Sequence, residues 1–331
     1  MSTPLNILIT GANGFVGSHL LRHLSENQEY RVTGLVRPTS NLFRLRDKQH
    51  RLVFSSINDP MEETIKGFDV VIHTAASTMY WGNSNEIYRT NVDGTLNLVE
   101  ASIKAGVRRF IHFGSTVVYG FDGNINTDES SELKPFKSGY CRSKAIAEEQ
   151  LLRFKKDIEL IILRPSNIFG PEDTVFTYLI IRALDKGILF AFPKAGESLT
   201  SPCYVKNIVS ATEKTLKIKE GLGEAYNISD GNDIQWKTYL AIIACQLGKK
   251  PPRKSAPVKP LLFASRMLES TYTLLRIRSR PPITPHDIVH VSDDYSFSIE
   301  KAKTKLDYNP SYTTEEGIAE TVQWYRKYRS N

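Results

Sequence analysis

The stretch "ITGANGFVGSHLL", residues 9 to 21, decides how the rest of the chain is read. It begins at the end of an apolar, β-rich run, "NILIT", and opens a segment whose apolar residues recur at helical spacing. Gly11, Gly14 and Gly17 stand at the junction. Turns use glycine for many reasons, so the glycines alone say little. Between a strand and a helix they take separate tasks. Gly11 permits the tight turn, Gly14 lets a phosphate approach the backbone, and Gly17 lets the helix pack on the strand. The N–H groups of the first helical turn, with the helix dipole behind them, then hold a pyrophosphate. In that context the loop is expected to bind a dinucleotide.

Outward from the loop, the first half alternates short apolar runs with helical patterns. "YRVTGLV", "RLVFSS", "DVVIHTA", "RRFIHFGS" and "IELIILRP" read as further strands. Helices are expected from about Gly14 to Asn27, Asn85 to Ala105 and Ser138 to Phe154. Such alternation predicts a parallel sheet covered on both faces, and right-handed crossovers make it doubly wound. The expected fold class is α/β, a doubly wound parallel sheet of the Rossmann type with a smaller, mixed C-terminal substrate-binding domain. Residues 1–170 are assigned to the dinucleotide-binding domain, with 200–222 returning to it. Residues 171–199 and 223–331 are assigned to the substrate-binding region. There, "QWKTYLAIIACQLG" predicts an amphipathic helix stopped by Gly248, and "KKPPRKSAPVKP" a basic, proline-rich connector.

The 331 residues carry 43 Lys plus Arg against 36 Asp plus Glu, a formal charge of +7. No block of five or more like charges concentrates the excess, so no nucleic-acid partner is expected. A broad positive field suits an anionic cofactor or a membrane surface. Cys141, Cys203 and Cys245 show no motif spacing, which argues against a disulfide framework and a zinc site, so no metal is expected. Reduced thiols fit a cytoplasmic location. The start, "MSTPLNILITGANG", reads as no signal peptide, and no run of eighteen apolar residues offers a membrane span.

The second strand ends "GLVRPTS", which puts Arg37 where an acidic residue would bind a ribose 2′-hydroxyl. An Arg pairs bidentately with a 2′-phosphate, so NADP is favoured and NAD is the alternative. Arg37 also reads as a solvated strand-end charge or a stack on adenine. The fifth strand ends "FGSTVVYG", presenting Ser115 and Thr116 at the carboxyl edge of the sheet, where open α/β sheets bind ligands. "GYCRSK", residues 139 to 144, then sets Tyr140 and Lys144 one helical turn apart. Alone, such a pair is common on a helix surface. Beside a nucleotide and a strand-end serine it is complementary chemistry. Ketone reduction needs a proton donor near the carbonyl oxygen. A free tyrosine, with a pKa of about 10, is a poor acid–base group near neutrality. A nearby Lys ammonium is expected to lower that pKa, and a Ser hydroxyl to hold the substrate oxygen.

"TGANGFVG", "DVVIHTAA", "YRTNVDGT", "GSTVVYG", "YCRSK" and "LRPSNIFGP" together resemble an extended short-chain dehydrogenase/reductase, in family order and spacing. "YVKNIV", "GEAYNISDG", "RPPIT" and "YSFSIEKAKTKLDYNPSYTTEEGI" resemble its 3β-hydroxysteroid dehydrogenase-like branch, close to dihydroflavonol-type reductases, within the NAD-dependent epimerase/dehydratase superfamily. The resemblance implies a catalytic set of Ser115, Tyr140 and Lys144, with Asn91 ordering the site and a proton-relay water. It implies a cofactor site of Gly11, Asn13, Gly14, Phe15, Val16, Gly17, Arg37, Ser56, Ile57, Thr74, Ala75, Ala76, Tyr140, Lys144, Pro165, Ser166 and Ile168. It also implies a homodimer through the helices that carry Tyr140 and "YRTNVDGT". Four residues depart from the wider pattern. Ser56 replaces an Asp that contacts adenine, Val117 and Val118 replace the acid of dehydratases, and Asn207 stands where many sugar-nucleotide relatives have Asp.

The expected function is an NAD(P)-dependent oxidoreductase that interconverts a secondary alcohol and a ketone on an apolar substrate, sterol-like, fatty or polyketide-like. The alternatives are a nucleotide-sugar 4-epimerase with tightly held NAD, and a non-catalytic NAD(P)-binding sensor or scaffold. His73 and His112 read as structural, and Cys141 as an ordinary thiol. Tyr80 and Trp81 read either as a cover for a flat substrate or as loop packing. Val258 to Ile277 reads either as a lid on the substrate pocket or as an amphipathic element in peripheral contact with a membrane, flanked by Lys250, Arg253, Lys254 and Arg278.

Overall fold

Alternating buried residues and tight glycine turns organise the chain around one parallel sheet. The computed structural model describes residues 3–46, 49–79, 84–189, 191–275, 277 and 279–330. The first half contains β1 (Leu5–Thr10), α1 (Phe15–Leu24), β2 (Tyr30–Val36), β3 (Arg51–Phe54), α2 (Glu62–Ile65), β4 (Val70–His73), α3 (Ser84–Tyr88), α4 (Gly94–Lys104), β5 (Arg109–Phe113), β6 (Asn124–Thr127), α5 (Gly139–Leu151) and β7 (Glu159–Pro165). After Pro165 come β8 (Asn167–Phe169), α6 (Thr177–Asp185), β9 (Ala191–Pro193), β10 (Leu199–Thr200), β11 (Pro202–Tyr204), α7 (Val205–Thr215) and β12 (Glu224–Ile228). The remainder contains β13 (Ile234–Gln235), α8 (Trp236–Leu247), β14 (Lys254–Ala256), α9 (Val258–Leu274), α10 (Pro285–Ser292), β15 (Tyr295–Phe297), α11 (Glu300–Leu306) and α12 (Thr314–Ser330).

Seven parallel strands form the main sheet, in the order β12-β7-β5-β4-β1-β2-β3. Side chains alternate across it, as the two-residue period requires. Leu8, Val71, Phe110 and Ile162 pack on one face with Leu98 and Val99 of α4. Ile7, Ile9, Ile111 and Ile161 pack on the other with Leu20 and Leu21 of α1 and Ile208 of α7. The strand order reverses at β1 and β4, and the carboxyl ends there open the crevice in which such sheets bind ligands. A smaller mixed sheet, β13-β10-β15-β6, lies beyond the carboxyl edge.

Three details differ from the sequence expectation. β12 is the edge strand of the large sheet, paired with β7, although its residues were grouped with the substrate-binding region. The helix expected from Asn85 to Ala105 contains a five-residue π-helical turn, Arg89–Asp93. Such turns insert one extra residue per turn and redirect side chains, often at functional sites. The helix after the glycine loop stops at Leu24 rather than Asn27. Among the described residues no helix is long and apolar enough to cross a membrane.

Asn207 of α7 clamps the C-terminal tail. Its amide donates to Asp230 Oδ1 and to the Tyr312 carbonyl, both at 2.8 Å, and its carbonyl accepts from the Ser311 and Tyr312 amides, both at 3.1 Å. Burial raises Asp230 to about 6, against its hydrogen bonds. The folded state therefore binds a proton that the unfolded state has released, and this contribution to stability is lost as pH rises from about 4 through about 6. Asn207→Asp would set a second carboxylate beside Asp230 and withdraw two donors. We expect a loss of roughly 2 kcal/mol above pH 6, shrinking towards pH 4, measured by urea unfolding across that range.

Candidate active site

The glycine loop meets the β4 end at contact distance. Gly11 has φ +67°, and a Cβ on it would lie 2.7 Å from Ala75 Cα. A Cβ on Gly17 would lie 2.3 Å from the Gly11 carbonyl oxygen. Thr74 Oγ1 donates to the Thr10 carbonyl at 2.6 Å, and the Ala75 amide donates to Thr10 Oγ1 at 3.3 Å, so the two loops are tied together. Gly14 caps α1 without a side chain. The N–H groups of that first turn have no intrahelical acceptor, and they face a cradle that any side chain would fill. This donor set fits a dinucleotide pyrophosphate.

The other expected cofactor residues distribute around this cradle. Arg37 is exposed at the end of β2. Asn13 Nδ2 donates to the Asn41 carbonyl at 3.2 Å, Phe15 stands edge-on to His19, and Val16 is half-buried beside it. Ser56 Oγ accepts from the Asn58 amide at 3.2 Å, which spends this hydroxyl on its own turn, and Ile57 is buried against Gly94. Ala76 follows Ala75, half-buried. Pro165 ends β7, with its carbonyl 3.4 Å from Thr116 Oγ1. Ser166 turns its hydroxyl to the Ser201 carbonyl at 2.7 Å, and Ile168 pairs with Cys203 between β8 and β11. Tyr80 and Trp81 lie outside the described residues.

Ser115, Tyr140 and Lys144 come together at the carboxyl end of β5, each at least nine-tenths buried. Ser115 ends in extended backbone and accepts from the Val117 amide at 3.3 Å, while Ser138 caps α5 and starts the helix one residue before Tyr140. Burial pushes the Tyr140 phenol above the ordinary tyrosine range; neighbouring Cys141 pushes the same way, and a hydrogen bond with Ser115 pulls it down. The expected lowering by Lys144 is therefore not what the chain's own groups produce. Lys144 Nζ instead donates to the Phe113 carbonyl at 2.6 Å. Its own pKa falls to about 8, because burial outweighs the attraction of Glu148. In an apolar site both groups shift towards their neutral forms. Cys141 is fully buried, and burial raises its thiol to about 11.

Asn91 lies in the π-helical turn and is buried. Its side chain accepts from the Ser77 amide at 2.7 Å and donates to the Ser77 carbonyl at 3.0 Å and to Ser143 Oγ at 2.9 Å. Ser143 in turn donates to the Tyr140 carbonyl at 2.8 Å. Behind it stands His73. Thr95 Oγ1 donates to the Asn91 carbonyl at 2.8 Å, so it accepts from His73 Nε2 at 2.9 Å, and His73 Nδ1 accepts from Thr10 Oγ1 at 2.7 Å. Burial and Lys144 lower His73 to about 3, which keeps the ring neutral. His73 is thus a brace between the glycine loop and Asn91. His112 packs beside it in the same strand layer.

Residues 7–229 match the NAD dependent epimerase/dehydratase family. The chain belongs to this family. It is 28% identical to 3-beta-hydroxysteroid dehydrogenase of Mycolicibacterium neoaurum, over 96% of this chain and 91% of that protein. It is 26% identical to UDP-glucose 4-epimerase of Vibrio cholerae, over 97% and 95%. Among solved structures, dTDP-glucose 4,6-dehydratase of Bacillus anthracis in complex with NAD superposes with a TM-score of 0.77 at 25% identity, covering 98% of both chains. An NAD(P)-binding family and an α/β fold are common to them.

Two features of this family member were not foreseen from its sequence. Tyr295, on β15, stands 2.8 Å from Thr116 Oγ1, 179 positions away in the chain. With Val117, Val118, Phe121 and Phe297 it packs around Tyr140 as an apolar cluster. The second feature is a buried ion pair. Arg164 of β7 binds both oxygens of Glu148 of α5, one turn beyond Lys144, and also donates to the Tyr119 hydroxyl. Tyr119 donates to Asn227 of β12 at 2.9 Å. Neither residue belongs to a motif that spacing alone would pair.

Glu148→Gln would leave the Arg164 charge buried and half-partnered. We expect a loss of about 3–5 kcal/mol in unfolding free energy, largely restored in Glu148→Gln/Arg164→Met, and a Lys144 pKa pushed further below about 8. Denaturant titration and lysine NMR read these two effects separately.

Proposed function

We propose that this protein reduces a ketone on an apolar substrate to a secondary alcohol, with NADPH as the hydride donor. The observation that carries the reading is the hydrogen-bonded Ser115–Tyr140 pair, set in an apolar cluster beside the glycine cradle. A bound nicotinamide supplies the hydride. Ser115 orients the carbonyl oxygen, and Tyr140 delivers a proton to it as negative charge develops. The raised Tyr140 pKa keeps the phenol protonated, as a donor requires. Lys144, held on the Phe113 carbonyl, keeps a positive charge one helical turn from Tyr140 where the cofactor would bind, and Asn91 fixes the α5 backbone through Ser143. The apolar packing of Val117, Phe121 and Tyr295 around Tyr140 supports a sterol-like, fatty or polyketide-like substrate over a sugar nucleotide. Relatedness to a 3-beta-hydroxysteroid dehydrogenase supports the same choice.

NADP(H) over NAD(H) rests on Arg37, exposed where a 2′-phosphate would lie. The competing reading, a nucleotide-sugar 4-epimerase, takes support from the Vibrio cholerae relative. That enzyme class would retain NAD through purification and bind a UDP-sugar. Asn207 and the paired valines after Thr116 speak against it.

Tyr140→Phe should lower ketone reduction by roughly 10²- to 10⁴-fold, with NADPH binding retained. An unchanged rate on a lipid-weighted carbonyl panel would refute the mechanism. The rate should also fall above about pH 8, where Lys144 loses its charge. Arg37→Ala should reduce the preference for NADPH over NADH by about ten- to a hundredfold, the worth of a charge-assisted hydrogen bond; fluorescence titration of both cofactors measures it.

A further inference from the structure

Helix α9 runs for 17 residues, yet only Ser265 is buried along it. It lies over α10, whose His286 and His290 pack against Phe121 beside the Tyr140 cluster. Away from α10 it presents Phe263, Met267 and Leu274, which are 68%, 55% and 82% exposed, and Leu275 follows at 63%. Positions 263, 267, 271 and 274 fall on one stripe of an α-helix. The polar member, Thr271, turns its hydroxyl back to the Met267 carbonyl at 2.8 Å, and Thr273 does the same to Glu269 at 2.9 Å. Their donors are satisfied within the helix, so the stripe can leave water at little polar cost.

Charge surrounds this stripe asymmetrically. Residues 249–275 contain Lys249, Lys250, Arg253, Lys254, Lys259 and Arg266, against the single acid Glu269. All six cations are exposed, and among the described residues none forms an ion pair. Glu269 is half-buried and faces Asp287 of α10. Arg276 and the flanking Arg278 lie outside the described residues.

We propose that α9 docks the protein on an anionic lipid surface. Phe263, Met267, Leu274 and Leu275 enter the boundary between head groups and acyl chains, and the six cations meet the lipid charges. A second copy of this chain is the poorer occupant. Apposing two such faces about a two-fold axis sets six cations against six, with one acid on each side to offset them. The lid reading is also less apt, because Phe263, Met267 and Leu274 stand exposed instead of covering the cluster around Tyr140.

The full chain is sedimented with phosphatidylcholine vesicles, with and without phosphatidylglycerol. We expect binding to the anionic vesicles, at least tenfold weaker to the neutral ones, and weakened by salt. Phe263→Ser/Met267→Ser/Leu274→Ser and, separately, Lys254→Glu/Arg266→Glu should each lower binding tenfold or more. Their thermal midpoints and NADPH binding should stay as in the parent, because every altered side chain is exposed. Equal recovery in the supernatant with both vesicle types would overturn the proposal. So would triple-variant binding equal to the parent's. A dimer in light scattering that the triple variant alone converts to monomer would assign the face to a second copy instead.

Discussion

The ion pair between Glu148 and Arg164 fixes the acid–base helix against the sheet. Glu148 lies on the helix of Tyr140 and Lys144, and Arg164 on the neighbouring strand β7. Arg164 also reaches Tyr119, in the turn that begins after Ser115, and Tyr119 reaches Asn227 on the edge strand. Two charges so deep in a protein are costly to desolvate, and they persist only when both ends are fully bonded. Fork-to-carboxylate geometry permits little tilt or slide of α5 against the sheet. The placement of Tyr140 two turns away follows from that restriction. Glu148 is also the charge that opposes the neutralisation of Lys144.

A second layer of bracing comes from uncharged groups. Thr10, His73, Thr95 and Asn91 form a hydrogen-bonded line from the end of β1 to the π-helical turn, and Ser143 extends it to α5. The line crosses the crevice beneath the glycine loop, so the cofactor cradle and the acid–base helix share one scaffold. Burial keeps its histidine neutral, and a neutral ring can donate at one nitrogen while accepting at the other. The site is thereby rigid where it must orient and apolar where Tyr140 stands. Low polarity around that phenol favours the form that carries the proton.

Much of this was legible locally. The strands show apolar runs, the helices show their period, and the glycine turn, the strand-end Ser115 and the Tyr140–Lys144 spacing each lie within a few residues of chain. The fold class and the family followed from those short patterns in order. The Gly248 stop and the structural character of His73 were read the same way, while the partners His73 braces appear only in the fold. Other features have no local signature. Tyr295 meets Thr116 only because a small second sheet folds over the carboxyl edge. β12 returns to the large sheet after a long excursion, and nothing in "GEAYNIS" marks which sheet it joins.

The direction of the Tyr140 shift marks the boundary most clearly. Spacing on a helix says that a lysine lies one turn away, and that alone suggests a lowered pKa. The sign depends instead on how much water each group has lost and where the ammonium points, toward the Phe113 carbonyl. In the same way, hydropathy along Val258–Ile277 marks an amphipathic helix, but which side it buries depends on α10. Periodicity and turn chemistry are properties of neighbouring residues, so one strand of text contains them. Desolvation, charge pairing and exposure are sums over everything within reach in space, and those exist once the chain has folded.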